Sequence, residues 1–169
     1  MRKSLRKWIM AAVLAAIICV ATMAITVPTP SGGYVNLGEC VVMRAGWLLG
    51  PCFGFLAAGV GSALADGIAG YFVYVPGTLL IKGLMAVIAA AVASAFQQKR
   101  TAGRAVGAVL AELWMVTGYF LYEMVLSGWG GSIVGVPMNL LQGLVGAVAA
   151  VLVSLLLDKT GLLERYLKR

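Results

Sequence analysis

Residues 8–27, WIMAAVLAAIICVATMAITV, carry no charged side chain and follow directly on the basic group Arg2, Lys3, Arg6 and Lys7. At 1.5 Å per residue such a run makes a helix about 30 Å long, the thickness of the hydrocarbon core of a bilayer. It is therefore expected to cross a membrane. A cleavable signal peptide also has a basic start and an apolar core, but its core is shorter. Here the uncharged run continues to Gly38 and further apolar segments follow, so a retained membrane helix is the expectation.

The rest of the chain has the same character. It is 62% hydrophobic and only 11% charged, where a soluble domain carries about 25% charge. Lipid must be the solvent for most of its length. At roughly 20 to 25 residues per crossing, 169 residues allow about six crossings and leave no room for a second folded domain. The expected fold is an all-α membrane protein: a six-transmembrane-helix bundle spanning 1–169, with both termini cytoplasmic. Helices are expected at about 8–27, 38–49, 51–71, 76–96, 104–126 and 135–157. The breaks are set by the Pro and Gly of 27–33, by Gly50-Pro51, and by the glycine-rich stretch at 128–131.

All but two of the 13 Lys and Arg fall into three groups: Arg2, Lys3, Arg6 and Lys7; Lys99, Arg100 and Arg104; Lys159, Arg165, Lys168 and Arg169. With six crossings all three lie on one side, which the positive-inside rule makes the cytoplasm. The connections expected opposite, about 28–38, 71–76 and 127–134, contain no Lys or Arg. The net charge of +7 is thus explained by topology, and no nucleic-acid partner is expected.

Several chemistries have no residues to perform them. Histidine is absent and Cys19, Cys40 and Cys52 lack metal-site spacing, so no metal and no cofactor are expected. There is no phosphate-binding G-x-x-x-x-G-K-[ST] loop and no G-x-S-x-G nucleophile turn. Glu112 and Glu123 are about 16 Å apart along one helix, a poor acid and base pair. No enzyme activity is expected, and uphill transport would have to draw energy from another subunit or an ion gradient.

Ionisable groups inside membrane helices cost a few kcal/mol or more, so Asp66, Lys82, Glu112 and Glu123 should face the bundle interior. Asp66 and Lys82 are matched in depth, about 7 to 9 Å below the outer surface, and could form a structural ion pair between two helices or contact a ligand. Glu112, Tyr119 and Glu123 recur at seven and eleven residues and share one face of a helix. Glu123 and Tyr119 lie nearer the outer mouth, and Glu112 about three turns deeper. Asn139 and Gln142 share a face within two turns of the outer end of the last helix. Tyr34, Asn36 and Glu39 come from the first outer loop, Tyr74 from the second, and Trp129 from the third. A capped small-molecule pocket would look like this, and so, in part, would an interfacial aromatic belt. Trp8, Trp47 and Trp114 are expected in belt or packing roles. The binding set is Tyr34, Asn36, Tyr74, Lys82, Tyr119, Glu123, Asn139 and Gln142.

Near the cytoplasmic end of the first helix, Ala11, Ala12, Ala15 and Ala16 form two overlapping small-x-x-x-small pairs. Such a surface suits either a partner helix or packing inside its own bundle, where Gly59 with Ala63 and Gly143 with Ala147 repeat the pattern. Spacing leaves both open.

Four stretches carry a resemblance: PTPSGGYVNLGE (28–39), GVGSALADGIAGY (59–71), AELWMVTGYFLYE (111–123) and VPMNLLQGLVG (136–146). They resemble the substrate-binding S components of energy-coupling factor (ECF) vitamin transporters, in the riboflavin, hydroxymethylpyrimidine and pyridoxine-type branch. The resemblance implies a six-helix subunit of an ABC-type importer that captures a vitamin from outside. Its partners would be a transmembrane coupling subunit and two cytoplasmic ATPase subunits, in a bacterial plasma membrane. It also implies that Ala11, Ala12, Ala15 and Ala16 dock on the coupling subunit, that the loop around Tyr34 to Asn36 closes over ligand, and that the whole subunit topples during transport. Read from the residues alone, a stand-alone secondary transporter or channel using Glu112 and Glu123 stays open.

Overall fold

A computed structural model describes residues 2–29, 32–96 and 99–160, without the side chains of 2, 3 and 160. The expected basic residues Arg165, Lys168 and Arg169, and the side chains of Arg2 and Lys3, lie outside that description. Among the described residues there are four helical elements: α1 (Arg2–Ala24), α2 (Glu39–Ile68), α3 (Val75–Ala95) and α4 (Arg100–Thr160). Each is long and apolar enough to cross a membrane.

Two of the four are folded back on themselves. In α2, Gly50 adopts φ 77° and ψ −178°, and in α4, Gly128 adopts φ 72° and ψ −176°. Only glycine enters this region without strain, because it has no Cβ to collide with the backbone. The reversal is visible in what the arms touch. A methyl on Gly54 would lie 2.8 Å from Cα of Gly46, and one on Gly143 would lie 3.1 Å from Cβ of Glu112. In a straight helix those pairs would be about 12 Å and 46 Å apart. Gly50 and Gly128 thus divide α2 and α4 into two helical arms each, joined by a single non-helical residue. The glycine-rich 128–131 stretch is not a loop: one residue breaks the helix and the others continue it.

A second correction concerns the first connection. The expected helix to residue 27 ends at Ala24, and Thr26–Pro28 (β1) pairs antiparallel with Tyr34–Asn36 (β2), Val27 opposite Val35. Among the described residues the bundle is all-α except for this small hairpin. Backbone bonds between Thr29 and Gly33, 2.9 Å, and between Gly32 and Thr29, 3.1 Å, close its turn. Gly38 then brings the chain against Thr22, where an added methyl would lie 2.3 Å from the hydroxyl. The first arm of α2 consequently begins within the bundle.

The helices approach closely where side chains are small. Gly46 lies against the carbonyl of Ala86, and Gly61 against that of Ala15, leaving no room for a methyl at either glycine. Around these contacts sits the apolar core, with Ile18, Met43, Met85 and Met115 fully buried. Large apolar side chains such as Leu144, Leu156 and Val125 face outward, as lipid as solvent requires. Cys19, Cys40 and Cys52 are free thiols.

Candidate functional site

Above the apolar core the interior turns polar. Lys82 lies seven residues into α3, about 10 Å below its start, and its ammonium pairs with Glu39 at the start of α2. Glu39 Oε1 also accepts from the Gln142 amide of α4. Gln142 in turn accepts, through Oε1, the backbone N–H of Asn36 at 2.6 Å. One chain of bonds thus ties α3, α2, the second arm of α4 and the hairpin. The expected Asp66–Lys82 ion pair is overturned. Asp66 instead accepts the Tyr34 hydroxyl at 2.6 Å, and Glu39, grouped by sequence with the first outer loop at the start of the helix expected over 38–49, is fully buried at the start of α2. Counting depth along the helices put Asp66 level with Lys82, but the hairpin carries Glu39 to the same depth.

Over this floor lies a small cavity with about 20 Å³ of free volume. Its walls include all eight side chains expected to bind ligand: Tyr34, Asn36, Tyr74, Lys82, Tyr119, Glu123, Asn139 and Gln142. Tyr74 donates to Glu123 at 3.3 Å, and the Thr78 and Tyr119 hydroxyls are 3.0 Å apart. The Lys82 ammonium is 5.5 Å from the centre of the Tyr119 ring, a cation–π distance.

The hairpin forms the roof. Tyr34 stacks on Tyr71 with centroids 4.7 Å apart, Tyr71 meets Tyr74 edge-on at 6.5 Å, and Tyr74 meets Tyr122 at 6.1 Å. Burial, with the Asp66 carboxylate beside it, pushes the Tyr34 phenol up. Burial and the neighbouring Glu123 push Tyr74 up to about 12. Both phenols therefore stay protonated and act as donors at physiological pH.

Asp66, for which the sequence leaves ion pair or ligand contact open, also lines the cavity, together with Thr22, Thr29, Gly33, Ser62 and Thr78, which the sequence alone does not place there. The signal for two of them was present: Ser62 is four residues before Asp66 and Thr78 four before Lys82, one turn away on the same face. Ser62 Oγ and Asp66 Oδ2 make no hydrogen bond of standard geometry among the described residues, although Thr78 is within reach of the Asp66 carboxylate.

Other expected residues stand apart from the cavity. Glu112 is buried beneath it. Trp129 is exposed and meets Phe120 edge-on at 5.5 Å. Trp47 and Trp114 donate their indole N–H to the carbonyls of Ala89 and Ile81, and Trp8 packs on Phe53. The four alanines of α1 do not form one face. Ala11 and Ala15 are buried, while Ala12 and Ala16 are exposed, because adjacent helical positions differ by about 100°. Ala11, Ala12 and Ala15 line an apolar groove with Trp8, Leu56, Ala57 and Val60.

A cavity lined by aromatic rings, hydroxyls, amides, one ammonium and two carboxylates can hold a small heterocycle by hydrogen bonds and stacking. The family model described as "ECF-type riboflavin transporter, S component" matches residues 2–159. A thiamine precursor transporter, HmpT, of Lactococcus lactis is 29% identical over 98% of this chain and 96% of its own length. An uncharacterized protein in the gap 3′ region of Pyrococcus woesei is 38% identical over 78% of this chain and 87% of its own. A solved bacterial ECF transporter S component superposes with a TM-score of 0.67 over 98% of this chain and 99% of its own, at 21% identity, a likeness of fold.

Proposed function

This chain belongs to the S components of ECF-type riboflavin transporters, a membrane family with a substrate-binding role in transport, and from that premise we propose what it binds and how it is arranged. The ligand is a small nitrogen heterocycle bearing a hydroxymethyl or amino substituent, with hydroxymethylpyrimidine ahead of pyridoxine and riboflavin. The observation that carries this reading is the cavity under the hairpin. Its Lys82, Asn139 and Gln142 offer donors, and Asp66 and Glu123 offer acceptors to hydroxyl and amino protons. The likeness to a thiamine precursor transporter along almost the whole chain supports the same choice.

Tyr34, Asn36, Tyr74, Lys82, Tyr119, Glu123, Asn139 and Gln142 contact the vitamin in this reading. With so little free space for water-sized groups, the Tyr34–Asn36 hairpin must lift or the walls must spread to admit a ring. The helices cross the membrane six times, the arms reversing at Gly50 and Gly128, with both termini cytoplasmic and the hairpin outside. The absence of Lys and Arg from 28–38, 69–74 and 127–134 supports that orientation. The groove beside Ala12 docks a transmembrane coupling subunit, and two cytoplasmic ATPases supply the energy for uptake across a bacterial plasma membrane.

The test is to purify the protein, identify copurified vitamin by mass spectrometry, and titrate hydroxymethylpyrimidine, pyridoxine and riboflavin. Saturable binding of the pyrimidine, weakened at least tenfold by Asn139→Ala, is expected. Failure of all three to bind discards the assignment.

A further inference from the structure

Beneath the pocket, negative charge outnumbers positive. Glu39 and Glu112 are both buried, at 0% and 5% exposure. Among the described residues the elements around them contribute one cation, Lys82 of α3. From α2 come Glu39 itself and, on the cavity side of Lys82, Asp66; from the first arm of α4 come Glu112 and the Tyr119 phenol, whose ring lies 5.5 Å from the Lys82 ammonium; and from the second arm come the neutral Gln142, Gly143 and Gly146. β2 contributes neutral Asn36. The two acids share one space: a methyl on Gly146 would lie 2.6 Å from Oε1 of Glu112 and 2.6 Å from Cβ of Glu39.

Their hydrogen bonding is equally lopsided. Lys82 and Gln142 both donate to Oε1 of Glu39, while Oε2 of Glu39 and both oxygens of Glu112 accept nothing among the described residues. A buried carboxylate without a counter-charge or donors is a severe cost, and proteins meet it by neutralising the group. One proton supplies both things that are lacking: the missing positive charge and an O–H donor between the acids.

We propose that Glu112 and Glu39 hold one exchangeable proton between them, a site directly under the vitamin pocket that fills more completely when vitamin binds. This rests on the reading of the cavity as the vitamin site. The link is Lys82, which both lines the cavity and pairs with Glu39. A vitamin acceptor that draws the ammonium upward loosens its hold on Glu39, and the proton below replaces the lost charge. Binding of vitamin and proton then favour one another, as linkage requires.

Calorimetry of the purified protein with hydroxymethylpyrimidine, in buffers of different ionisation enthalpy and across pH, tests this. The wild type is expected to take up protons on binding, and above the midpoint of the pair its affinity should fall by up to about tenfold per pH unit. Glu112→Gln keeps the shape and leaves a single acid, already paired with Lys82, so its proton uptake on binding should be smaller than that of the wild type. The ligand's own titration is common to both proteins and cancels in the difference. Without ligand, the infrared band of a protonated carboxylic acid should be present in the wild type and absent from Glu112→Gln. If that variant does not fold, the pH titration of the wild type's infrared acid band with and without ligand decides in its place, since the ligand contributes no carboxylic acid. Binding without proton uptake, or with sodium dependence in its place, overturns the proposal. No binding of any vitamin while the acid band persists overturns the vitamin reading and leaves the proton site standing.

Discussion

Lys82, with 2% of its surface exposed, and the fully buried Glu39 neutralise each other where neither could remain charged alone. Lys82→Met should leave the Glu39 carboxylate without its cation and destabilise the protein by about 3 to 5 kcal/mol, read as a fall in Tm in detergent. Adding Glu39→Gln should recover most of that loss. A single variant as stable as the wild type would mean that the pair carries no net charge interaction. Tyr34→Phe removes one hydrogen bond to a carboxylate, so a loss of about 1.5 to 3 kcal/mol in closing the hairpin is expected, measured as faster vitamin release. The sequence exposes such residues by their cost: a Lys or Asp amid apolar helix is conspicuous, and Asp66, Lys82, Glu112 and Glu123 are all conspicuous. Partners are harder to read. Periodicity gives a residue's angle and depth on its own helix, but the path of the hairpin decides that Glu39, and not Asp66, reaches Lys82.

Lipid demands long uninterrupted apolar runs, which a sequence displays directly, but no such run announces β1 and β2, whose pairing joins residues that no local pattern links. The stretch around Pro28 to Gly33 announces a chain break, and breaks alone do not distinguish a hairpin from a loop. The bends in α2 and α4 are decided by single glycines. Nothing lies within 4 Å of a methyl added at Gly50 or Gly128, so space does not forbid alanine there; the positive φ does. Gly50→Ala and Gly128→Ala should each cost about 1 to 3 kcal/mol. Gly130→Ala, also in open space but in ordinary helix, should be neutral or stabilising by up to about 1 kcal/mol. Equal effects at Gly128 and Gly130 would mean that the bend does not depend on backbone conformation. On α1, the exposed Ala12 and Ala16 separate docking from packing. Ala12→Leu or Ala16→Leu should abolish uptake in cells carrying the coupling and ATPase subunits while vitamin binding survives, whereas Ala15→Leu, aimed at α2, should destabilise the subunit itself.

At the scale of the molecule the bends decide topology. A straight helix of the 61 residues of α4 would be about 90 Å long, three times the apolar thickness of a bilayer, and the contact between Glu112 and Gly143 shows that it turns back. In the proposed arrangement, with α2 also reversed, the chain crosses six times, which would gather the described basic residues Arg6, Lys7, Lys99, Arg100, Arg104 and Lys159 at one end and the hairpin, the 69–74 turn and Gly128 at the other. In a variant lacking Cys19, Cys40 and Cys52, single cysteines replacing the exposed residues Phe72, Ser127 and Thr101 test this. A membrane-impermeant maleimide added to whole cells should label the first two and should reach the third only after permeabilisation. Labelling of Thr101→Cys in intact cells, with Phe72→Cys protected, would invert the orientation. The polar cavity would then open toward the cytoplasm, where a capture subunit has nothing to catch.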